Sequence, residues 1–359
     1  MGRAPGFIRE AVASLPPYRF THNPQPVKLD QNEAPDDLAG ELRAAVQQRI
    51  AALSYNRYPE LHPVVLEEAL ARRHDWPAEG VVVANGSNVL IQALVILAGL
   101  ERTVVSVKPS FSVYAEQARL LGAELVQVPL GERFSLPVEE LSAALSGRSG
   151  VLFLTDPAAP TGNAHDPEDL ESVVRAAERS GTWLTVLDEA YHEFAGAHHA
   201  GLVRDIESAV SLRTFSKAAG LAGVRLGYAL AHPEVATQLR KVLLPFNVSV
   251  MQVAAGLAIL ERPEVMAARV ALAASERERV SEAMARLPGV EVYPSVTNFV
   301  LFKVDDPAAV HAGLLAAGVV VRRQDHLPGA AGCLRVSVGA PAENDAFLAA
   351  LDGVMAVAP

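Results

Sequence analysis

The chain is poor in the features that mark several large classes of protein. Cys333 is its one cysteine in 359 residues, so no internal disulfide can form, as suits a reducing compartment. Cys333 stands beside Leu334 in an apolar run and reads as an inert core thiol. Basic runs are missing: 31 Lys and Arg stand against 41 Asp and Glu, a net charge of −10, which argues against nucleic acid and anionic membrane as partners. The longest apolar run, VLIQALVILAGL, is too short to span a bilayer and contains Gln92. The N-terminal stretch MGRAPGFIREAVASLPPYRF lacks the apolar core of a signal peptide. These absences predict a cytoplasmic protein with no membrane partner. Neither G-x-G-x-x-G after a strand nor G-x-x-x-x-G-K-[ST] occurs, which argues against nicotinamide and P-loop nucleotide sites. HEFAGAHH gathers His192, Glu193, His198 and His199, but the spacing is not H-E-x-x-H, and a surface loop is expected there rather than a zinc site.

What is present is a globular composition, half hydrophobic and one fifth charged, at a length that suits two domains. Seven short, nearly continuous apolar runs lie at 81–85, 103–108, 125–130, 151–157, 182–189, 209–216 and 226–232. Runs of that kind read as strands buried on both faces. Helical stretches separate most of them, such as PEDLESVVRAAERSG ending at Gly181. The pattern predicts a mostly parallel sheet with helices on both sides. A long helix is expected over about 250–285. Strands VEVYP, NFVLFKV, VVVRR and CLRVSVG and helices near 306–317 and 342–355 follow, as a smaller α+β unit. The proline-rich first 30 residues have no period and are expected to wrap another part of the molecule. The expected division is a large domain over 31–245 and a small one formed by 1–30 with 246–359.

Ligands of such sheets sit at the carboxyl ends of the strands, so the polar residues that follow each run matter most. Gly86, Ser87 and Asn88 open a helix after the first strand and form either a plain N-cap or an anion site. Thr214, Ser216 and Arg225 add two hydroxyls and a guanidinium in TFSKAAGLAGVR, and several donors with one cation suggest a phosphate. Asp188 ends an apolar strand; a carboxylate there either caps the next turn or holds a positive group. Lys217 stands alone among small and hydroxyl residues. A lysine amine kept partly out of water is a nucleophile for an aldehyde carbon. A phosphate site, a partner for a pyridinium and an amine for an imine together describe pyridoxal phosphate.

LPPY, LDQNEAP, NRYPE, NGSNVLIQAL, KPSFSVY, DPAAPTGN, LDEAYHEF, TFSKAAGLAGVRLGY, PFNVS, TNFVLF, VRRQ and GCLRVSVG run along nearly the whole chain. In these stretches the sequence resembles the fold-type I pyridoxal-phosphate aminotransferases, and among them the histidinol-phosphate aminotransferases. The pair TFSKAAGLAGVRLGY and LDEAY is the specific part. The resemblance implies an aspartate-aminotransferase-like fold, a three-layer αβα large domain with a seven-stranded sheet beside a smaller α+β domain. It implies a homodimer with shared active sites, acting on a small amino donor and a 2-oxo acid, histidinol phosphate with 2-oxoglutarate foremost. Aromatic amino-acid transamination, decarboxylation of threonine phosphate, and cofactor binding with weak catalysis are the alternatives. Carried over residue by residue, Lys217 bonds to the cofactor and moves the substrate proton. Asp188 pairs with the pyridine nitrogen, and Tyr191 donates to the ring's 3′ oxygen. Ser87, Asn88, Thr214, Ser216 and Arg225 hold the phosphate, with Tyr58 reaching in from a second subunit. Phe111 stacks on the ring, Arg335 takes the anionic end of the substrate, and Arg322 and Tyr18 line the same pocket. Two departures from the family pattern stand out. Ala159 replaces an asparagine that donates to the 3′ oxygen, and Asn88-Val89 replaces Asp-Glu.

Overall fold

The computed structural model describes residues 6–17 and 24–357. Strand β1 (Val27–Lys28) is followed by seven strands that form one sheet: β2 (Val81–Ala84), β3 (Thr103–Lys108), β4 (Glu124–Pro129), β5 (Gly150–Thr155), β6 (Trp183–Asp188), β7 (Ala209–Thr214) and β8 (Gly227–Ala231). Their order across the sheet is β2-β8-β7-β6-β5-β3-β4, and β8 alone runs against its neighbours. All seven expected runs are strands of this sheet.

Why these runs are apolar without alternation is visible in where each residue goes. Val81 and Val83 enter one core and Val82 and Ala84 the other; Leu152 and Leu154 are likewise separated from Val151 and Phe153. Each face is covered by helices. Leu66, Leu70, Leu170, Val173 and Ile259 close one side, and Leu90, Ile91, Leu94, Tyr114 and Leu239 close the other. A side chain that points to either face is therefore out of water, which is the three-layer arrangement. The helix Pro167–Ser180 shows how local sequence sets its limits. Asp166 accepts from the backbone of Glu168 and Asp169, Pro167 occupies the first turn, and Gly181 ends the helix with a left-handed φ of 66°.

The remaining strands are β9 (Glu291–Val292), β10 (Phe299–Lys303), β11 (Val319–Val320), β12 (Arg322–Arg323) and β13 (Cys333–Ser337). Four of them form an antiparallel sheet ordered β12-β13-β10-β9, and β11 pairs in parallel with β1. The stretch VVVRR thus serves two sheets, its first half holding the segment before residue 30. The expected helix over 250–285 is two helices, Val250–Leu260 and Pro263–Ala285. Pro263 lacks an N–H and biases Arg262 away from helical geometry, and Arg262 has φ −126° and ψ 60°. HEFAGAHH is a surface loop only in its second half, where Gly196, Ala197 and His198 are exposed and 197–199 have no regular structure. His192–Ala195 make a helical turn, His192 and Phe194 are buried, and the backbone N–H of His199 donates to Glu189. The two ends of the stretch reach Glu189, His192 Nδ1 at its carbonyl and the His199 N–H at its carboxylate. Cys333 is buried beside Phe134, Leu301 and Ala330, and burial pushes its thiol up to about 11.

Shared cores suggest a boundary other than 245. Val248, Ala255, Ile259 and Met266 belong to the core of the large sheet, whereas Val280, Met284 and Leu29 join that of the small one. We propose two domains that change over inside the helix Pro263–Ala285.

Candidate active site

The antiparallel β8 starts where β2 and β7 end, so the residues around it gather at the carboxyl ends of the strands. Its first residue, Gly227, lies opposite Thr214 at the end of β7 and opposite Ala84 at the end of β2. Arg225 just before β8, Ser87 just after β2, and Ser216 and Lys217 just after β7 therefore converge where β5 and β6 end at Thr155 and Asp188. The approach is close: a Cβ on Gly227 would lie 2.4 Å from the backbone nitrogen of Ser87.

The helix Ser87–Leu94 begins after Gly86, which has a φ of 84° that favours glycine, and among the described residues no side chain caps that end. A Cβ on Gly86 would meet Nη2 of Arg225 at 2.9 Å, so the guanidinium lies over the open helix end. Thr214 is buried and its Oγ1 accepts from the backbone N–H of Ser216 at 3.0 Å. Ser87 is half-buried, and Asn88 is exposed and contributes a backbone N–H. Free N–H groups, hydroxyls and one guanidinium gathered in this way are donors that could hold a phosphate.

Asp188 is buried at the end of β6, and its hydrogen-bond donors are neutral. Tyr114 donates to Oδ2 at 2.5 Å and the N–H of Ala190 to Oδ1 at 3.1 Å. Burial pushes its carboxyl up to about 6, against the pull of those two bonds. Tyr114 in turn meets Thr155 Oγ1 at 2.9 Å, and burial raises its phenol well above the usual range. A carboxylate so placed favours a cationic partner. Phe111 precedes the helix Ser112–Leu121 and is half-buried, its ring edge-on to Tyr114 at 5.7 Å.

Lys217 donates from Nζ to the carbonyl of Gln31 at 2.9 Å, and Nζ lies 5.6 Å from the centre of the Tyr191 ring. Tyr191 is buried, and its hydroxyl accepts from Asn32 Nδ2 at 2.9 Å. Ala159 is buried in the same apolar cluster as Tyr191 and Phe299 and offers no side-chain donor. Arg335 on β13 is the cross-strand partner of Arg322 on β12, and both are half-buried. The Arg335 guanidinium lies 5.2 Å from the Phe299 ring and donates to the carbonyl of Asp30 at 2.9 Å. Phe299 meets Tyr191 edge-on at 5.1 Å, so this contact joins the small sheet to the site of the large one.

Tyr58 stands apart. It is 84% exposed and stacks on Phe246 at 5.0 Å. Tyr18 lies outside the described residues. Sequence reasoning missed Tyr114 and Asn32, although both lie in quoted motifs. Tyr114 follows Phe111 by three residues on a helix facing the sheet, which was a usable signal. The partner of Asn32 is 159 residues away, and no local pattern announces it.

The uncapped helix end under Arg225, the glycine-only approach at Gly227 and a buried carboxylate with neutral partners fit a cofactor with a phosphate at one end and a ring cation at the other. Comparison with known proteins defines the class. Residues 24–351 match the family described as aminotransferase class I and II, and the chain belongs to that family. It is 48% identical over 348 residues to the histidinol-phosphate aminotransferase of Deinococcus radiodurans, covering 97% of this chain and 96% of the relative. The histidinol-phosphate aminotransferase of Sinorhizobium meliloti, solved in complex with pyridoxal-5′-phosphate, superposes with a TM-score of 0.88 at 26% identity, over 98% of each chain. A Thermus thermophilus aspartate aminotransferase mutant shares the fold, with a TM-score of 0.80 at 23% identity over 97% of this chain and 99% of that one.

Proposed function

We propose that the chain is a pyridoxal-5′-phosphate-dependent transaminase that exchanges an amino group between histidinol phosphate and 2-oxoglutarate in histidine biosynthesis. The observation that carries the cofactor chemistry is Asp188, a buried carboxylate with neutral donors on the strand end beside that of Lys217. Family membership supports the reaction class, and the 48% identity with the Deinococcus enzyme supports the substrate.

When bound, the cofactor supplies an aldehyde and a protonated ring that accepts the electron pair left at the substrate carbon. Asp188 holds the proton on the ring nitrogen, because an opposite charge offsets the cost of ionising a buried carboxyl. Lys217 would hold the cofactor through Nζ and would carry the proton taken from the substrate carbon. Tyr191 would donate to the ring oxygen, and Phe111 would pack against the ring. Arg225, Ser87, Thr214, Ser216 and the N–H groups at Ser87 and Asn88 bind the phosphate. Arg335 and Arg322 take the anionic end of the substrate, in a pocket to which Tyr18 is also assigned. Tyr58, exposed beside the partly exposed Phe246, acts in the site of a second copy, so the working unit is a homodimer. We place the reaction in the cytoplasm; among the described residues no helix is long and apolar enough to cross a membrane.

The test is a half-reaction. Histidinol phosphate added to the cofactor-loaded protein should bleach the visible cofactor band with release of the oxo product, and 2-oxoglutarate should restore it. A response to phenylalanine alone, or carbon dioxide released from phosphothreonine, would contradict the substrate assignment.

A further inference from the structure

Three consecutive residues touch three of the proposed site residues. The carbonyl of Asp30 accepts from Arg335, the carbonyl of Gln31 accepts from Lys217, and the side chain of Asn32 donates to Tyr191. Asn32 is 1% exposed and sits in the left-handed region with a φ of 54°. Its amide turns the oxygen to one neighbour and the nitrogen to the other. The backbone N–H of Asn32 donates to Ser337 Oγ at 2.8 Å, and that hydroxyl donates to Asn32 Oδ1 at 3.2 Å. Oδ1 is thereby an acceptor and faces Ser337, and the NH₂ group faces Tyr191. Asn298 Nδ2 donates to the carbonyl of Asn32 at 3.1 Å and holds the residue from the other side.

A tyrosine hydroxyl has one proton and two lone pairs. One lone pair of Tyr191 is taken by the Asn32 amide, so its proton is directed elsewhere. Around the ring are the amine of Lys217, at 5.6 Å, and the apolar cluster of Ala159, Phe194, Ala218, Ala273 and Phe299. Alanine at 159 leaves the donor position of the family empty. We propose that Asn32 is a positioning residue that fixes Tyr191 as an obligate donor to the ring oxygen, the work that in the family pattern is shared with an asparagine at 159. This rests on the cofactor reading above. Ser337 lies two residues after Arg335 on β13 and so shares its face of the strand. The strand that carries the substrate-binding arginine thus also sets the amide that orients Tyr191.

The test is a spectral pH titration of the cofactor-loaded protein and its variants. Asn32→Gly removes the amide and accepts the left-handed backbone. Asn32→Asp keeps the shape but turns the donor into an acceptor for the Tyr191 proton. Without a donor the ring oxygen keeps its charge and holds the neighbouring imine proton more tightly. Tyr191→Phe should therefore raise the spectral pKa by about one pH unit, Asn32→Asp by a similar amount and Asn32→Gly by about half as much. The double variant Asn32→Asp/Tyr191→Phe should titrate as Tyr191→Phe does, because the amide acts through the phenol. If Tyr191→Phe raises the value and neither Asn32 variant does, or if the double variant rises by the sum, the inference is overturned and the cofactor reading stands. If the wild-type protein takes up no cofactor, both fall.

Discussion

Asp188 and Glu189 are neighbours in the chain, both buried, and the structure treats them in opposite ways. Glu189 lies against Arg213, which is itself 1% exposed and donates to Oε2 at 2.9 Å, with Ser211 as a further donor. Burial pushes Glu189 up, but Arg213, His192 and the hydrogen bonds from Ser211 and the His199 N–H together outweigh it and hold the carboxyl below its usual range. Asp188 has Tyr114 and an N–H, and burial pushes it up to about 6. The first carboxylate is satisfied inside the protein and reads as part of the scaffold. The second has only neutral donors, and a cationic partner would offset the cost of its burial.

The sharpest break in that comparison is Arg213→Ala. It leaves Glu189 buried without its cation and should cost about 3–5 kcal/mol of stability, measured by urea unfolding of the cofactor-free protein. Asp188→Asn should do the reverse. A carboxyl raised in the folded state carries no penalty at a pH well below 3.8, and the penalty grows as pH rises through about 6. At pH 7.5 it is roughly 3 kcal/mol, so the cofactor-free Asn variant should melt a few degrees higher than wild type, with the gap closing near pH 4. The same variant should lose transamination. Arg335→Ala supplies the matching contrast among the arginines. It should lower kcat/KM by roughly 10- to 150-fold, the worth of a hydrogen-bonded charge, with a smaller effect on folding than Arg213→Ala. The smallest effect is that of Tyr114→Phe. It removes a bond that favours ionised Asp188, and should cost about 1 kcal/mol at pH 7.5 and less at pH 5 in cofactor-free protein.

The large sheet was legible because burial on both faces removes polar residues from its strands, so each run stands out in the sequence. The strand-end residues were legible for the complementary reason: Asp188 and Lys217 are polar residues where apolar runs stop. The contacts that orient them were not. Asn32 reaches Tyr191 from the segment before the first helix of the large domain, and Tyr114 reads as one more apolar helix residue until its hydroxyl is found on Asp188. HEFAGAHH misled in part: His198 is exposed as its sequence suggests, whereas His192 is buried, His199 Nε2 lies 2.7 Å from Asp156 and the His199 N–H donates to Glu189. The break at Pro263 was written in the sequence, but the helical period on both sides hid it.

The most direct test of the account is chemical. Borohydride reduction of the cofactor-loaded protein, followed by peptide mapping, should place the cofactor on the peptide that contains TFSKAAGLAGVR, at Lys217, and on that lysine alone. A label on Lys28, Lys108 or any other lysine, or no label at all, would contradict it.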